Sequence, residues 1–334
     1  MLLFFLACGG EADPSRLFNI QLEKDEFQVH QRIRVSLVNK KDKDIESVQY
    51  FIDGKEMPSA DQTITLDIEK LGIKTLVAKV IYEGESVEVP KTIQVLAGKE
   101  PTVFTYEIIN EFPHDIKAFT QGLEFRGDTL YESTGKRGAS SIRKVDFTSG
   151  NILQETKLEA DYFGEGITLM GGKLYQLTWQ NGTGFVYNAE NLERTGSFKY
   201  GESKEGWGLC NDGEVIYKSD GTERIWILDP DTMAESGYIQ TVTNTSVFNK
   251  ANELEYVDGK IYANVWQKES MMIIDAASGA IEGVVNFGGL KDRVTKHQQL
   301  DVLNGVAYHE GRKTFFVTGK YWDKLFEIRI LPRE

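Results

Sequence analysis

Five residues able to bind or react with a small molecule recur at corresponding positions along the chain. Each precedes or begins a short apolar segment, which is followed by a turn containing glycine and by a second apolar segment. The five residues are Gln121, Glu165, Trp207, Asn252 and Asn304. Repeats of about 40 to 50 residues with four short strands each are typical of the blades of a β-propeller. The spacing therefore predicts an all-β, five-bladed β-propeller over residues 102–334.

In a propeller the first strand of each blade lines the central channel, so these five residues would form a ring around one mouth of that channel. Because hairpin strands are antiparallel, the second strand of each repeat returns to the same mouth. Equal counts of residues on either side of each turn place Trp179 opposite Glu165. The whole second set is Gly135, Trp179, Asp220, Trp266 and Lys320.

The predicted mouth combines aromatic walls with few polar groups, which is the usual composition of a small-molecule site. Phe119 and Phe163 lie two residues before their ring positions and would extend the apolar wall. Burial among such side chains would raise the pKa of Glu165 and suit it to proton transfer near neutral pH. Two alternatives remain open. Any single ring residue can be a polar group satisfied in the core, and Lys320 can be an ordinary solvated lysine.

The segments that flank the repeats predict how the ring closes and what precedes it. Residues 104–112, FTYEIINEF, have no partner of their own and would supply the fourth strand of the last blade, which removes an open sheet edge. Residues 17–98 contain short strands separated by charged turns, a pattern that favours a small immunoglobulin-like β-sandwich. We interpret this sandwich as a spacer or docking module.

The first residues, MLLFFLACGG, resemble the end of a bacterial lipoprotein signal. Residues 1–16 are therefore interpreted as a signal segment and linker, and Cys8 as a candidate lipid anchor. This predicts an exported bacterial protein, periplasmic or on the outer membrane or cell surface. The alternative is an ordinary signal-peptide core or a stray apolar N-terminus. Because Cys210 would then be the remaining cysteine, no intrachain disulfide is expected.

Composition disfavours several other functions. The formal net charge is −13, which argues against nucleic acid as a partner, because phosphate binding needs clustered cations. The four histidines are scattered without the spacing of zinc ligands. Neither a phosphate-binding loop nor a dinucleotide fingerprint stands in a suitable context. We therefore expect neither a metal nor a cofactor.

Five segments of the repeat region together resemble the glutamine cyclotransferase family, the plant and bacterial type of glutaminyl cyclase. They are HDIKAFTQGLEF, YFGEGITL, GWGL with SDGT, NELEYVDGKIYANVW and DVLNGVAY, and the resemblance covers about residues 102–331. Members of this family are metal-independent five-bladed propellers. They convert the N-terminal glutamine of peptides to pyroglutamate and release ammonia.

The resemblance implies a role for each residue of the mouth. Glu165 matches the family's acid–base glutamate, and Gln121, Asn252 and Lys320 are candidates for the catalytic groups around it. The substrate-binding candidates are Phe119, Phe163, Trp179, Trp207, Trp266 and Asn304. The implied partner is a peptide or protein with an N-terminal glutamine, bound by a monomer. The alternative is a non-catalytic propeller that binds peptides or sugars at the cell surface, because a fold alone implies no function.

Overall fold

The computed structural model describes residues 14–333, and Cys8 lies outside this range. The chain divides into two compact units, with the division between Gly98 and Lys99. Within the described range both units are built from β-strands and two short 3-10 helices, Pro14–Arg16 and Leu290–Arg293, with no α-helix. No helix in this range is long and apolar enough to cross a membrane. The fold is therefore all-β, in agreement with the class predicted from the sequence.

The described part of the first unit, residues 14–98, contains three small sheets. Strands β8 and β9 form a long antiparallel hairpin that β5 and β6 extend on one side, and β2 joins the other edge of β9 in parallel. Two further pairs, β1 with β4 and β3 with β7, are antiparallel. The strands are β1 Phe18–Gln21, β2 Glu26–Gln28, β3 Arg32–Arg34, β4 Ser36–Asn39, β5 Ile45–Ile52, β6 Lys55–Met57, β7 Thr63–Thr65, β8 Gly72–Tyr82 and β9 Glu85–Leu96.

The second unit begins with β10, Thr102–Pro113, and continues with the repeated strands. Three repeats form separate four-stranded antiparallel sheets. They are β11 Thr120–Arg126, β12 Thr129–Thr134, β13 Ser141–Asp146 and β14 Asn151–Lys157; β15 Gly164–Met170, β16 Lys173–Thr178, β17 Thr183–Asn188 and β18 Arg194–Lys199; and β19 Leu209–Asn211, β20 Ile216–Ser219, β21 Arg224–Leu228 and β22 Glu235–Gln240.

The remaining strands form one eight-stranded sheet in which β10 stands between two repeats. The pairing predicted for β10 is confirmed, because it runs antiparallel to β29 from Phe104 opposite Pro332 to Pro113 opposite Lys324. It also pairs in parallel with β26 over Thr102–Phe104, which the sequence did not predict. The other strands of this sheet are β23 Ala251–Val257, β24 Lys260–Val265, β25 Ser270–Asp275, β26 Ile281–Asn286, β27 Leu303–His309, β28 Thr314–Gly319 and β29 Lys324–Pro332.

The first strands of the five repeats contact one another in a closed ring: β11 with β15, β15 with β19, β19 with β23, β23 with β27 and β27 with β11. Most of their residues are buried, whereas outer strands such as β14 and β18 are largely exposed. Apolar clusters fill the space between neighbouring sheets. In one of them Tyr131 and Ile142 of the first repeat pack with Leu174 and Phe185 of the second. The core therefore surrounds a common axis.

At this axis the backbones approach so closely that most repeats have glycine directly after the ring residue. A Cβ atom on Gly166 would lie 2.6 Å from the Cα atom of Gly208, closer than carbon atoms can pack. Gly122, Gly208 and Gly305 occupy the corresponding positions of three other repeats. Contact between neighbouring backbones therefore requires glycine at positions 122, 166 and 208, whereas at Gly305 the φ of +118° favours it.

The fourth repeat departs from this rule, because Glu253 occupies the position of the glycine. Its fully buried side chain accepts hydrogen bonds from two other repeats, from Leu123 N at 3.1 Å and from Val306 N at 2.8 Å. Burial raises the pKa of Glu253 well above its ordinary value. One glutamate therefore links three inner strands.

We expect Glu253→Gln to destabilise the second unit, because the amide nitrogen cannot accept a hydrogen bond and leaves one buried N–H without a partner. Such a loss costs about 1–3 kcal/mol. The free energy of unfolding from denaturant titration measures it, with Glu282→Gln on strand β26 as the control, since Glu282 is half exposed. Equal unfolding midpoints for both variants would show that Glu253 does not link these strands.

Candidate active site

The ring residues are aimed by irregularities in the first strand of each repeat. The pairing register shifts between Gly164 and Ile167, and shifts at the corresponding points of β11, β23 and β27. A bulge of this kind bends a strand and redirects the side chain at the extra position. In the third repeat β19 begins only at Leu209, after Trp207. The sequence places a large or polar residue wherever the strand leaves regular pairing.

Because of these bulges, the observed cross-strand neighbours differ from those predicted by counting equal numbers of residues on either side of each turn. Trp179 N donates to Phe163 O at 3.0 Å, so Trp179 stands opposite Phe163 and not opposite Glu165. Lys320 N likewise donates to Val302 O at 2.9 Å, two residues before Asn304. The extra residues in the first strand account for the displacement. Both side chains nevertheless reach the predicted mouth.

Most of the residues predicted from the sequence surround one cavity of ≈ 240 Å³. The lining residues are Phe119, Gln121, Lys136, Phe163, Glu165, Trp179, Trp207, Asn252, Trp266 and Lys320. Their rings form two groups. Phe163 has its centroid 5.9 Å from that of Phe119 and 5.6 Å from that of Trp179, and Trp207 lies 5.7 Å from Trp266. The cavity is therefore walled by aromatic rings with a few polar groups between them.

Three predicted residues, Gly135, Asn304 and Asp220, lie outside this lining. Asn304 is fully buried below it and donates from Nδ2 to Gln121 Oε1 at 3.1 Å and to Thr120 O at 3.0 Å. Asp220 borders a neighbouring cavity, where its carboxylate accepts a hydrogen bond from Trp226 Nε1 at 2.8 Å. Asn304 was predicted to bind substrate, but its position is that of a support for Gln121.

Glu165 is 5% exposed, and Gln121 Nε2 donates to its Oε1 atom at 2.9 Å. Asn304 fixes the orientation of the Gln121 amide, so the three side chains form a chain of donors that ends at the carboxylate. Burial raises the pKa of Glu165 well above its ordinary value, the charge of Lys320 opposes this rise, and the charge of Glu205 adds to it. A carboxylate with raised proton affinity can accept a proton and later return it.

Lys320 and Asn252 provide the other polar groups of the cavity. Lys320 is 5% exposed, with its Nζ atom 4.7 Å from the centroid of the Phe119 ring. Burial lowers its pKa, and the charge of Glu165 acts in the opposite direction. Within the described residues the Asn252 side-chain amide has no hydrogen-bond partner, although Asn252 is 4% exposed. Its amide can therefore bind a ligand.

Sequence reasoning missed Lys136, which lines the cavity with its Nζ atom 3.9 Å from the centroid of the Phe119 ring. Its backbone has a φ of +89°, a conformation that residues other than glycine rarely adopt. The signal in the sequence was its place directly after Gly135, a residue of the second predicted set.

No group of three or more His, Cys, Asp or Glu side chains within residues 14–333 is placed to hold a metal ion. The cavity itself contributes one carboxylate, two primary amides and two amines. Cys210, the cysteine in the described range, is a buried free thiol. The arrangement can therefore orient a polar ligand between aromatic rings and exchange a proton with it through Glu165.

Comparisons with known proteins agree on one family. The glutamine cyclotransferase family model matches residues 77–330. A glutaminyl-peptide cyclotransferase from Arabidopsis thaliana is 42% identical over 227 residues, which are 67% of this chain and 71% of the relative. The crystal structure of Myxococcus xanthus glutaminyl cyclase superposes with a TM-score of 0.65 at 34% identity, and covers 70% of this chain and 100% of that protein.

The opposed charges in the cavity predict a measurable shift in proton affinity. Lys320→Met removes the cation that lowers the pKa of Glu165, so this pKa should rise further. A ¹³C NMR titration of labelled glutamate carboxyls measures it, with the Glu165→Gln spectrum assigning the resonance. Lys136→Met is the control, because the charges that shift the pKa of Glu165 are those of Lys320 and Glu205. An unchanged or lower pKa in Lys320→Met would contradict this electrostatic description.

Proposed function

The chain belongs to the glutamine cyclotransferase family and is a glutaminyl-peptide cyclotransferase, and from this premise we propose that Glu165 is its acid–base catalyst and that the reaction needs no metal ion. The observation that supports this proposal is a buried carboxylate with raised proton affinity inside an aromatic cavity. The substrate is a peptide or protein with an N-terminal glutamine.

Cyclisation joins two parts of the same residue, so the enzyme must first fold the glutamine side chain back on its own amine. The α-amine nitrogen attacks the side-chain amide carbon, a C–N bond forms, and the bond from that carbon to the side-chain nitrogen breaks. Rings such as Trp207 and Trp266 on one side and Phe163 and Trp179 on the other can hold this bent conformer. Holding reacting atoms in contact is worth several powers of ten in rate.

Glu165 moves the proton that this exchange of bonds requires. The attacking amine must lose a proton, and the departing nitrogen must gain one to leave as ammonia. A single carboxylate can accept the proton from the amine and donate it to the departing nitrogen. The reaction then needs no other acid or base. Because burial disfavours the charged form, Glu165 is a stronger base than an exposed glutamate and accepts the proton of the amine more readily.

The negative charge that develops on the amide oxygen needs donors on another wall. The Asn252 amide and the Lys320 ammonium both face the cavity and are more than nine-tenths buried, so solvent screens them little. Donors held ready in a water-poor site are usually a large part of catalysis. Gln121 already donates to Glu165. We therefore assign Gln121 and Asn304 to orienting the carboxylate, and Asn252 and Lys320 to the oxygen.

We also propose the finer architecture. The closed ring of five inner strands supports a five-bladed β-propeller, in which the eight-stranded sheet comprises two blades joined through β10. The first unit is proposed to be an immunoglobulin-like sandwich, because an early strand, β2, pairs in parallel with its last strand, β9. Export as a lipoprotein through Cys8 and a monomeric state remain predictions from the sequence.

Glu165→Gln should abolish proton transfer while preserving the fold. Glutamine is nearly isosteric and keeps an oxygen for Gln121 Nε2, so the melting temperature should change little. The turnover number should fall about 10²–10⁴-fold, the usual contribution of a general acid–base group. Ammonia release from a glutamine-initiated dipeptide amide measures turnover. Trp179→Phe is the comparison, since it keeps an aromatic wall and should mainly raise KM. A folded Glu165→Gln enzyme within about threefold of wild-type turnover, far less than that range, would exclude Glu165 from the mechanism.

Metal independence predicts that chelation leaves the reaction unchanged. Protein dialysed against EDTA should release ammonia from the same peptide at the rate of untreated protein, because the proposed proton transfer uses side chains alone. The control is protein dialysed without chelator. Activity lost with EDTA and restored by zinc would refute this part of the proposal.

A further inference from the structure

Glu205 stands at the rim of the active-site cavity, although it lies outside the strands and outside the predicted site. It belongs to the segment between β18 and β19. Glu205 lines the neighbouring cavity of ≈ 440 Å³ and accepts hydrogen bonds from two tryptophans that line the active-site cavity. The mechanism above assigns no function to this carboxylate.

The carboxylate holds two walls of the active site at once. Glu205 Oε2 accepts hydrogen bonds from Trp179 Nε1 at 2.7 Å and from Trp207 Nε1 at 2.8 Å. Its other oxygen accepts from Gln180 Nε2 at 3.1 Å. Trp179 follows the second strand of one repeat, whereas Trp207 precedes the first strand of the next. A single group therefore fixes the rotation of two indole rings that different repeats contribute.

The segment that carries Glu205 is itself fixed on the side that precedes it. Glu235 Oε2 accepts hydrogen bonds from Glu202 N at 2.6 Å and from Ser203 N at 3.1 Å. The Ser203 hydroxyl donates to the same carboxylate and accepts from the fully buried Lys218 amine. Two backbone donors and a buried ion pair thus anchor this end of the segment.

The side that follows Glu205 is fixed by contact with the backbone of Trp179. Gly206 N donates to Trp179 O at 3.0 Å. A Cβ atom on Gly206 would lie 2.9 Å from Leu177 Cβ, so a larger residue does not fit. With both flanks anchored, the carboxylate has little freedom to follow the indoles if they move. It sets their positions.

We propose that Glu205 is a positioning residue for the cyclisation reaction: its carboxylate holds the indoles of Trp179 and Trp207 in the orientation that shapes the glutamine pocket. A second effect of the same carboxylate is electrostatic. The second effect follows from the charges around the catalytic carboxyl. Glu205 raises the pKa of Glu165, whereas Lys320 lowers it. Removing the Glu205 charge should therefore lower that pKa.

Two substitutions separate the hydrogen bonds from the charge. Glu205→Gln keeps an oxygen for both indoles, and Gln180 can turn to present its own carbonyl oxygen to the new amide. Glu205→Ala removes both the acceptor and the charge. Glu202→Gln is the matched control, because it removes one carboxylate from the same segment and its side chain is 79% exposed.

The measurements are kcat and KM for a glutamine-initiated dipeptide amide across pH, together with near-UV circular dichroism of each folded variant. We expect Glu205→Ala to raise KM about tenfold, the cost of two lost hydrogen bonds, and to weaken the tryptophan signal. Glu205→Gln should keep KM within about twofold and retain that signal, while the limb of the pH profile that reports Glu165 shifts to lower pH. Glu202→Gln should match wild type.

A purely structural residue would lower the melting temperature without these changes. The proposal is overturned if KM and the tryptophan signal of Glu205→Ala match wild type, or if the pH profile of Glu205→Gln superimposes on that of wild type. The kinetic part rests on the proposed function of this pocket. Absence of ammonia release by wild type would refute that function, whereas the circular dichroism of Glu205→Ala would still test the orientation of the indoles.

Discussion

Close approach of backbones at a common axis is the constraint on which the second unit depends. Glycine follows the ring residue in four repeats, and at Gly166 a side chain would collide with the neighbouring strand. The fourth repeat uses the space differently, since Glu253 extends from its strand to accept backbone hydrogen bonds from two others. A buried acceptor with two fixed donors is costly to remove. The same contact brings four of the five ring residues together at one mouth, while Asn304 lies outside the cavity lining.

The active site follows from what happens beside this contact. The first strands cannot keep regular pairing where they meet, and the bulges turn their ring residues into the cavity. Glu165 thereby enters a space walled by aromatic rings, where burial raises its pKa and the amine of Lys320 restrains the rise. Gln121 and Asn304 orient the carboxylate from below, and Glu205 holds two indoles from the rim. The residues that pack at the axis and the residues that form the active site therefore lie at the same or adjacent positions of the first strands.

The sequence predicted the all-β class, the pairing of β10 with β29 and nine of the residues that line the cavity. These predictions depend on the repeated spacing of residue types, which can be recognised without knowing which residues pair across the strands. It did not predict the register in which the first and second strands pair, because equal counting on either side of a turn leaves out the extra residue that a bulge inserts. The position of Asn304 below the cavity was missed, because equivalent positions in a repeat do not show how deeply each side chain lies along the axis. Lys136 and Glu205 lie in connections between strands, where no period constrains position.

The central claim is that one carboxylate serves both nitrogens of the substrate, and a crystal structure of Glu165→Gln with a bound glutamine-initiated peptide tests it most directly. We predict that the side chain at position 165 lies within about 3 Å, hydrogen-bond distance, of both the α-amine and the side-chain amide nitrogen. The amide oxygen should point toward Asn252 and Lys320. A peptide bound with either nitrogen beyond reach of position 165, or with its N-terminus in the neighbouring cavity, would contradict the account.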